Sequence, residues 1–259
     1  MSEDDPDDAL FAAAAAALPS DTEVALQCLW RECPAGARVA AGSIAAALRS
    51  QVYGIVRDRT AVDRELERLR LGGRVRVLQL PAARDEAILV DADRYHEAAC
   101  AALDASVAGG SGRAALRERP TALTVDREAL GQEALDALTA RGFCLPTAPA
   151  RTGPDEAPPE QEWLWSVPGC GALWTGLVAV RRDVLRTLGR HRLGGAQRVV
   201  VERGVASRLR ESRLDMRFVL RDCVGRELLT MDERLTNLGL TAAGRAAAAS
   251  LAAASKRKR

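Results

Sequence analysis

Along residues 48–80 the spacing of apolar positions changes period, from the three-to-four of a helix to the two of a strand. Residues 44–47 and Leu48 are apolar at helical spacing, which predicts a helix ahead of a turn through Tyr53, Gly54 and Asp58. Thr60 is the expected cap of a second helix, its hydroxyl accepting from free N–H groups of the first turn, with Asp63 three residues on. Val62, Leu66 and Leu69 fall on one buried stripe, and Arg64 and Arg68, four apart, share a more exposed face. Gly72-Gly73 ends the helix, because glycine accepts the left-handed conformation a helix C-terminus needs. Residues 74–80 then alternate polar with apolar, and residues 87–90 make a second strand, so the pair predicts a hairpin.

Two helices across a short turn, followed by a β-hairpin, form the winged-helix pattern. The expected class is therefore α+β, with three tandem winged helices. An acidic tail, 1–19, reads as disordered and precedes the first unit, 20–108, which opens on a helix capped by Ser20. Arg38, Val39 and Ala40 add a short strand, and a helix over 91–104 closes the unit. Gly109, Gly110, Ser111 and Gly112 read as a linker. The second unit, 113–167, has a helix at 133–138, a strand from Phe143, an extended Pro-rich and acidic wing at 147–161, and a returning strand at 163–167. Its tryptophans read as core. The third, 168–252, carries a long helix over 172–192, a short one near 202–210, and residues 216–225 as a second candidate recognition helix. Residues 227–230 and 238–241 would be its wing strands, and 253–259 a basic tail.

Charge is unevenly placed. The net value is only +2, yet residues 1–23 hold seven acids and no base, leaving 37 bases against 28 acids in the rest. Residues 181–226 hold 13 arginines and five acids, whereas residues 93–162 hold twelve acids and seven arginines. A basic end and an acidic middle suggest different partners. Cysteines 28, 33, 100, 144, 170 and 223 form no CxxC pair and read as buried free thiols. No signal peptide or apolar span of membrane length is evident, which argues against secretion and insertion.

Four stretches carry a family resemblance: LRSQVYGIVRDRTAVDRELERL, the strand VRVLQL, WLWSVPGCG, and RLDMRFVLRDCVG. Together they resemble the serine/threonine-protein kinase 19 family of tandem winged-helix proteins, over roughly residues 24–230. The resemblance implies binding of double-stranded nucleic acid and a nuclear role in transcription-coupled nucleotide excision repair. It also implies that the chain bridges the Cockayne syndrome A protein, RNA polymerase II and transcription factor IIH. The chain departs from the family at Gly189 and Gly194-Gly195, although Arg190 and Arg192 keep the charge there.

Despite that family name, the residues argue against phosphoryl transfer. It needs a Gly-rich loop, a strand lysine, an HRD aspartate and a metal-binding DFG. None of these motifs occurs, and the only lysines are Lys256 and Lys258 in the tail. His96 and His191 lack a Cys or Ser at nucleophile spacing, and carboxylates such as Asp91 and Asp93 lack further metal ligands. No cofactor is expected. What remains is binding, and arginine suits it, because its planar fork matches phosphate oxygens bidentately.

The candidate nucleic-acid residues are Arg181, Arg182, Arg186, Arg190 and Arg192 along one helix, Arg217 and Arg221 on the next, and Arg64 and Arg68 in the first unit. Few Asn or Gln accompany them, so a shape-tolerant binder of duplex DNA, or of RNA, is expected over a base reader. The alternative is a protein-docking adaptor that never touches DNA, which the acidic middle unit favours. The terminal KRKR is either a nuclear import signal or a further phosphate contact. An exposed wing edge could also pair two copies into a homodimer.

Overall fold

Ser20 accepts a hydrogen bond from the Glu23 amide at 3.2 Å and so starts α1, Asp21–Arg31. The computed structural model describes residues 19–80, 83–104, 124–125, 127–146, 162–191, 193–232, 234 and 236–256. The expectations for the acidic tail, the 109–112 linker, the 147–161 wing, Arg192 and residues 257–259 lie outside those residues. The class is α+β, with small antiparallel sheets interleaved with helices.

After α1 come β1 (Arg38–Val39), β2 (Ile44–Leu48), α2 (Arg49–Tyr53), α3 (Arg59–Leu71), β3 (Val75–Leu80) and β4 (Ala83–Asp91), in a sheet ordered β1-β2-β4-β3. Two expectations are corrected here. The apolar run expected to be helical is β2, because β4 offers two edges: β3 fills one, and Ala46, Ala47 and Leu48 pair with Val90, Leu89 and Ile88 on the other. Five apolar residues do not distinguish a buried strand from a helix by period alone. The cap of α3 is Asp58, whose carboxylate accepts from the Ala61 amide at 2.9 Å, with Thr60 one position inside the helix. Aspartate outranks threonine as a cap, so it takes the role and the helix starts earlier. At the other end Gly73 carries the left-handed φ of 68° that turns the chain into β3.

The middle of the chain contributes α4 (Ala92–Asp104), α5 (Arg127–Leu130), α6 (Gln132–Ala140), β5 (Cys144–Pro146) and β6 (Trp163–Trp165), with Leu164 also bridging Thr124. Helix α4 joins this part to the first. Tyr95 donates from its hydroxyl to the Ser166 carbonyl at 2.8 Å and meets Phe143 edge-on at 5.6 Å. Arg76 is 5% exposed, and its guanidinium lies 5.2 Å from the centroid of the Tyr95 ring and 5.0 Å from that of the Trp165 ring. Trp165 is thus core, as expected of it.

The last part runs α7 (Cys170–Gly189), β7 (Gly195–Gln197), α8 (Arg198–Ser212), α9 (Met216–Gly225), β8 (Leu229–Met231), β9 (Asn237–Leu240) and α10 (Ala242–Lys256). Its sheet order, β7-β9-β8, repeats that of β2-β4-β3, and apart from the added edge strand β1 in the first part the chain order is the same, helix, strand, two helices, two strands. One apolar core runs from Cys33 to Ala248 through all three parts, and a smaller one lies under α1 and α3.

Helix α9, expected to be a recognition helix, is instead an internal strut. Met216, Phe218, Val219, Leu220, Asp222, Cys223 and Gly225 are all buried, and the helix packs on α2. The Gln51 amide donates to the Phe218 carbonyl at 2.9 Å. A helix apolar on so much of its circumference has no face to spare for a groove.

Candidate nucleic-acid interface

Helix α7 builds the surface. Leu173, Leu177, Val180, Val184 and Leu188 recur at three- and four-residue spacing and are buried. That places positions 182, 186 and 190, each four apart, on the opposite, outward sector. The Arg182 and Arg190 side chains are exposed and make no hydrogen bond or ion pair with any described residue. Arg186 donates to Asp183 at 2.6 Å, and the second oxygen of Asp183 accepts from Arg208 of α8 at 3.3 Å. Arg208 also reaches Glu211 at 2.7 Å.

Past Arg190 the stripe opens into a groove of about 670 Å³ between the end of α7 and α10, lined by Arg186, Arg190, His191 and Arg245. Gly189 and Ala248 let the two helices approach, since a Cβ on Gly189 would lie 3.1 Å from that of Ala248. Arg245 donates to the Leu240 carbonyl at 2.9 Å, which fixes its stem and leaves its charge uncompensated. Among the described residues no carboxylate lines the groove.

The other candidates are placed differently. Arg181 turns inward, 14% exposed, with Nη1 2.9 Å from Asp222 Oδ2. Arg217 and Arg221 both bind Glu32 of α1, at 3.1 and 2.9 Å, and hold its carboxyl below the ordinary range. Arg68 binds Glu65 through two nitrogens at 2.8 and 2.6 Å, while Arg64 is exposed without a described partner. The eight described candidates therefore do not form one continuous surface. Arg182, Arg186 and Arg190 share one stripe, and Arg181, Arg217 and Arg221 brace α9. Arg245 and Arg208 join the stripe from α10 and α8, and only the folding of those helices onto α7 brings them there.

The brace is a buried ionic knot between the first and last parts of the chain. Asp222, with no exposed surface, accepts from Ser50 Oγ at 2.8 Å, Arg226 Nε at 2.8 Å and Arg181 Nη1 at 2.9 Å. Arg226 also pairs with Glu86, itself buried. Both guanidiniums lie over the Trp174 ring, Arg181 at 5.3 Å and Arg226 at 5.4 Å from its centroid. Two acids and two arginines balance, as buried charge requires. Sequence inspection had no signal for this knot, since Ser50 and Asp222 are 172 positions apart.

Candidate chemistry stays weak. All six cysteines are free, and burial lifts Cys144 to about 12 and also raises Cys223, so both remain protonated and poorly nucleophilic. Among the described residues no three His, Cys, Asp or Glu converge as metal ligands, and no helix is long and apolar enough to cross a membrane.

Glu65 gives a pH test of the framework. Hydrogen bonds from Arg68 and, more weakly, Ser20 lower its pKa from 4.5 to about 2. A carboxylate lowered in the folded state contributes stability that is present above the unfolded value and fades as pH falls through the folded one. Glu65→Gln should therefore lower Tm at neutral pH, and the difference from the parent should shrink between pH 4.5 and about 2. A difference independent of pH would remove the ion pair as its cause.

A family model described as inactive serine-threonine protein kinase 19 matches residues 38–233. No curated protein sequence matches the chain. The word inactive agrees with the missing kinase motifs, and the matched span takes in the hairpin of the first part, the Trp163–Trp165 strand and the α9 brace. Since that match covers well over half of its residues, the chain belongs to the inactive serine-threonine protein kinase 19 family.

Proposed function

We propose that this chain is a non-catalytic scaffold of three winged helices that grips double-stranded nucleic acid through the outward stripe of α7 and the basic groove beside it. The shared helix, strand, helix, helix, strand, strand order, to which the first part adds β1, and the repeated sheet order support winged helices in the first and last parts. Helix α4, Thr124, α5, α6, β5 and β6 follow the same order in the middle.

The observation that carries the binding assignment is that Arg182 and Arg190 stand exposed without a carboxylate partner among the described residues, and that Arg190 opens onto a groove that no described acid lines. An unpaired guanidinium gains most from phosphate, because it breaks no existing ion pair to bind it. Arg64 of α3 is a secondary contact from the first part. With α9 enclosed, the third unit contacts sugar and phosphate without presenting that helix to bases, so sequence preference is slight.

The family resemblance supplies the setting: transcription-coupled repair in the nucleus, alongside the Cockayne syndrome A protein, RNA polymerase II and transcription factor IIH. A protein-docking role without DNA contact is the second reading. Its support is that Arg68, Arg181, Arg186, Arg217 and Arg221 already hold carboxylates.

Fluorescence anisotropy on a labelled duplex of about 20 base pairs separates the two. With roughly four phosphates engaged, raising salt from about 50 to about 200 mM should weaken binding roughly 100-fold. No measurable binding at the lower salt would leave the docking reading in possession.

A further inference from the structure

With Asp58 capping α3, the hydroxyl of Thr60 is left without that role. Thr60 is exposed, as are Arg57, Asp58, Arg59 and Ala61 around it, and its side chain makes no hydrogen bond with any described residue. Residues 54–58 are turn and irregular backbone, so this exposed run joins a loop to the first turn of a helix. Of the 23 serines and threonines in the chain, Thr60 alone has a basic residue three positions before it, Arg57, and a second arginine, Arg59, directly precedes it. Kinases that select basic substrates recognise arginine at that spacing through complementary charge.

We propose that Thr60 is the acceptor site of a basophilic protein kinase, and that its phosphate withdraws Arg64 from nucleic acid. The second half rests on the nucleic-acid reading and adds its regulation, whereas the first half does not depend on it. This chain lacks the kinase motifs, so the kinase is a separate protein. In the transfer the Thr60 oxygen attacks the terminal phosphorus of ATP, the bond from that phosphorus to the bridging oxygen breaks to release ADP, and the hydroxyl proton passes to the aspartate base of the kinase.

The first turn of a helix has amides without intrahelical partners and opens locally. Here that turn is closed by the Asp58 cap and by Arg59, whose Nη2 donates to the Gly225 carbonyl at 2.6 Å and pairs with Glu227 at 2.9 Å. The Arg59 and Glu227 side chains are both exposed, so opening presents residues 57–61 and leaves the buried stripe of Val62, Leu66 and Leu69 in place. Arg64 follows Thr60 by four residues and therefore lies on the same face of α3. It is exposed and makes no ion pair with any described residue, while the nearby Asp63 is held by the Tyr53 hydroxyl at 2.5 Å. A phosphate carries a charge of about −2 at neutral pH, which offsets Arg64 and leaves that face repelling a duplex backbone.

The test incubates the full-length folded chain with magnesium ATP and a calmodulin-dependent kinase that selects arginine three residues before its acceptor, and maps the product by mass spectrometry. About one phosphate per chain is expected, on Thr60, absent in Thr60→Ala, kept in Thr60→Ser and reduced at least about tenfold in Arg57→Gln. A peptide of residues 53–64 is the control for the kinase. If the peptide is modified and Thr60 of the folded chain is not, the first turn of α3 does not open and the assignment falls. It falls equally if neither is modified.

The phosphorylated chain should bind a duplex of about 20 base pairs roughly tenfold more weakly than the parent at about 50 mM salt, and the loss should narrow in Arg64→Gln. An unchanged Kd on phosphorylation would overturn the regulation, and an equal loss in Arg64→Gln would overturn the part given to Arg64. If neither form binds duplex, the nucleic-acid reading falls and a phosphate mapped to Thr60 leaves the acceptor site standing.

Discussion

Asp222→Ala is expected to destabilise the folded chain by about 3 kcal/mol, the lower end for a broken buried pair, because two guanidiniums that are 14% and 25% exposed lose their shared carboxylate. Among the described residues Arg181 would lose its ion pair, Arg226 would keep Glu86, and the Ser50 hydroxyl would lose its acceptor. The cost should exceed that of any single surface pair, which contributes about 0–1 kcal/mol. Urea unfolding of Asp222→Ala beside Arg217→Ala measures the contrast directly. A loss below about 1 kcal/mol for Asp222→Ala would mean that the knot is solvated and does not hold the first and last parts together. Replacing Asp222, Glu86, Arg181 and Arg226 together with apolar residues, so that no charge of the knot is left unpaired, should restore much of the loss, as buried ion pairs often give way to packing at little net cost.

Gly225→Ala carries the second large effect. A Cβ there would lie 1.6 Å from the Ser50 carbonyl oxygen and 2.9 Å from the Gly54 amide nitrogen, both backbone atoms of or beside α2. Neither can rotate away, so α9 and α2 must separate, taking the Gln51–Phe218 and Ser50–Asp222 bonds with them. Overpacking usually costs about 1–3 kcal/mol, and a collision with rigid backbone belongs at or above the top of that range. Gly171→Ala, where nothing lies within 4 Å of the added carbon, is the matched control and should be close to neutral. If the two variants unfold at the same denaturant concentration, the α9–α2 contact is not as close as described.

These two substitutions also mark where sequence inspection stops. Local signals were legible: the Val62, Leu66, Leu69 stripe, the glycine stop at Gly73, the alternation of β3 and the Ser20 cap all rest on neighbours within a few positions. Local ambiguity produced the errors. The apolar run of β2 fits a helix and a buried strand equally, and only its pairing with a strand more than 40 residues later decides. Asp58 and Thr60 are both good caps, and the start of the helix selects between them.

The candidate site divides the same way. The outward positions of Arg182, Arg186 and Arg190 follow from the period of α7 alone. Which of the arginines are already bound does not. Glu32 takes Arg217 and Arg221 across 185 and 189 positions, and Asp222 takes Arg181 across 41. A count of arginines in residues 181–226 therefore overstates the charge available to a ligand, because tertiary ion pairs consume part of it and leave no trace in composition.

The central claim, that unpaired rather than ion-paired arginines hold the duplex, is most directly tested by the salt dependence of affinity in two double variants. Arg182→Glu/Arg190→Glu should weaken binding and flatten the slope of log Kd against log salt by about two units, near one per lost phosphate contact. Arg217→Glu/Arg221→Glu, which reverses charges already committed to Glu32, should leave the slope at the parental value. The reverse pattern, with the α7 variant unchanged and the α9 variant flattened, would contradict the account.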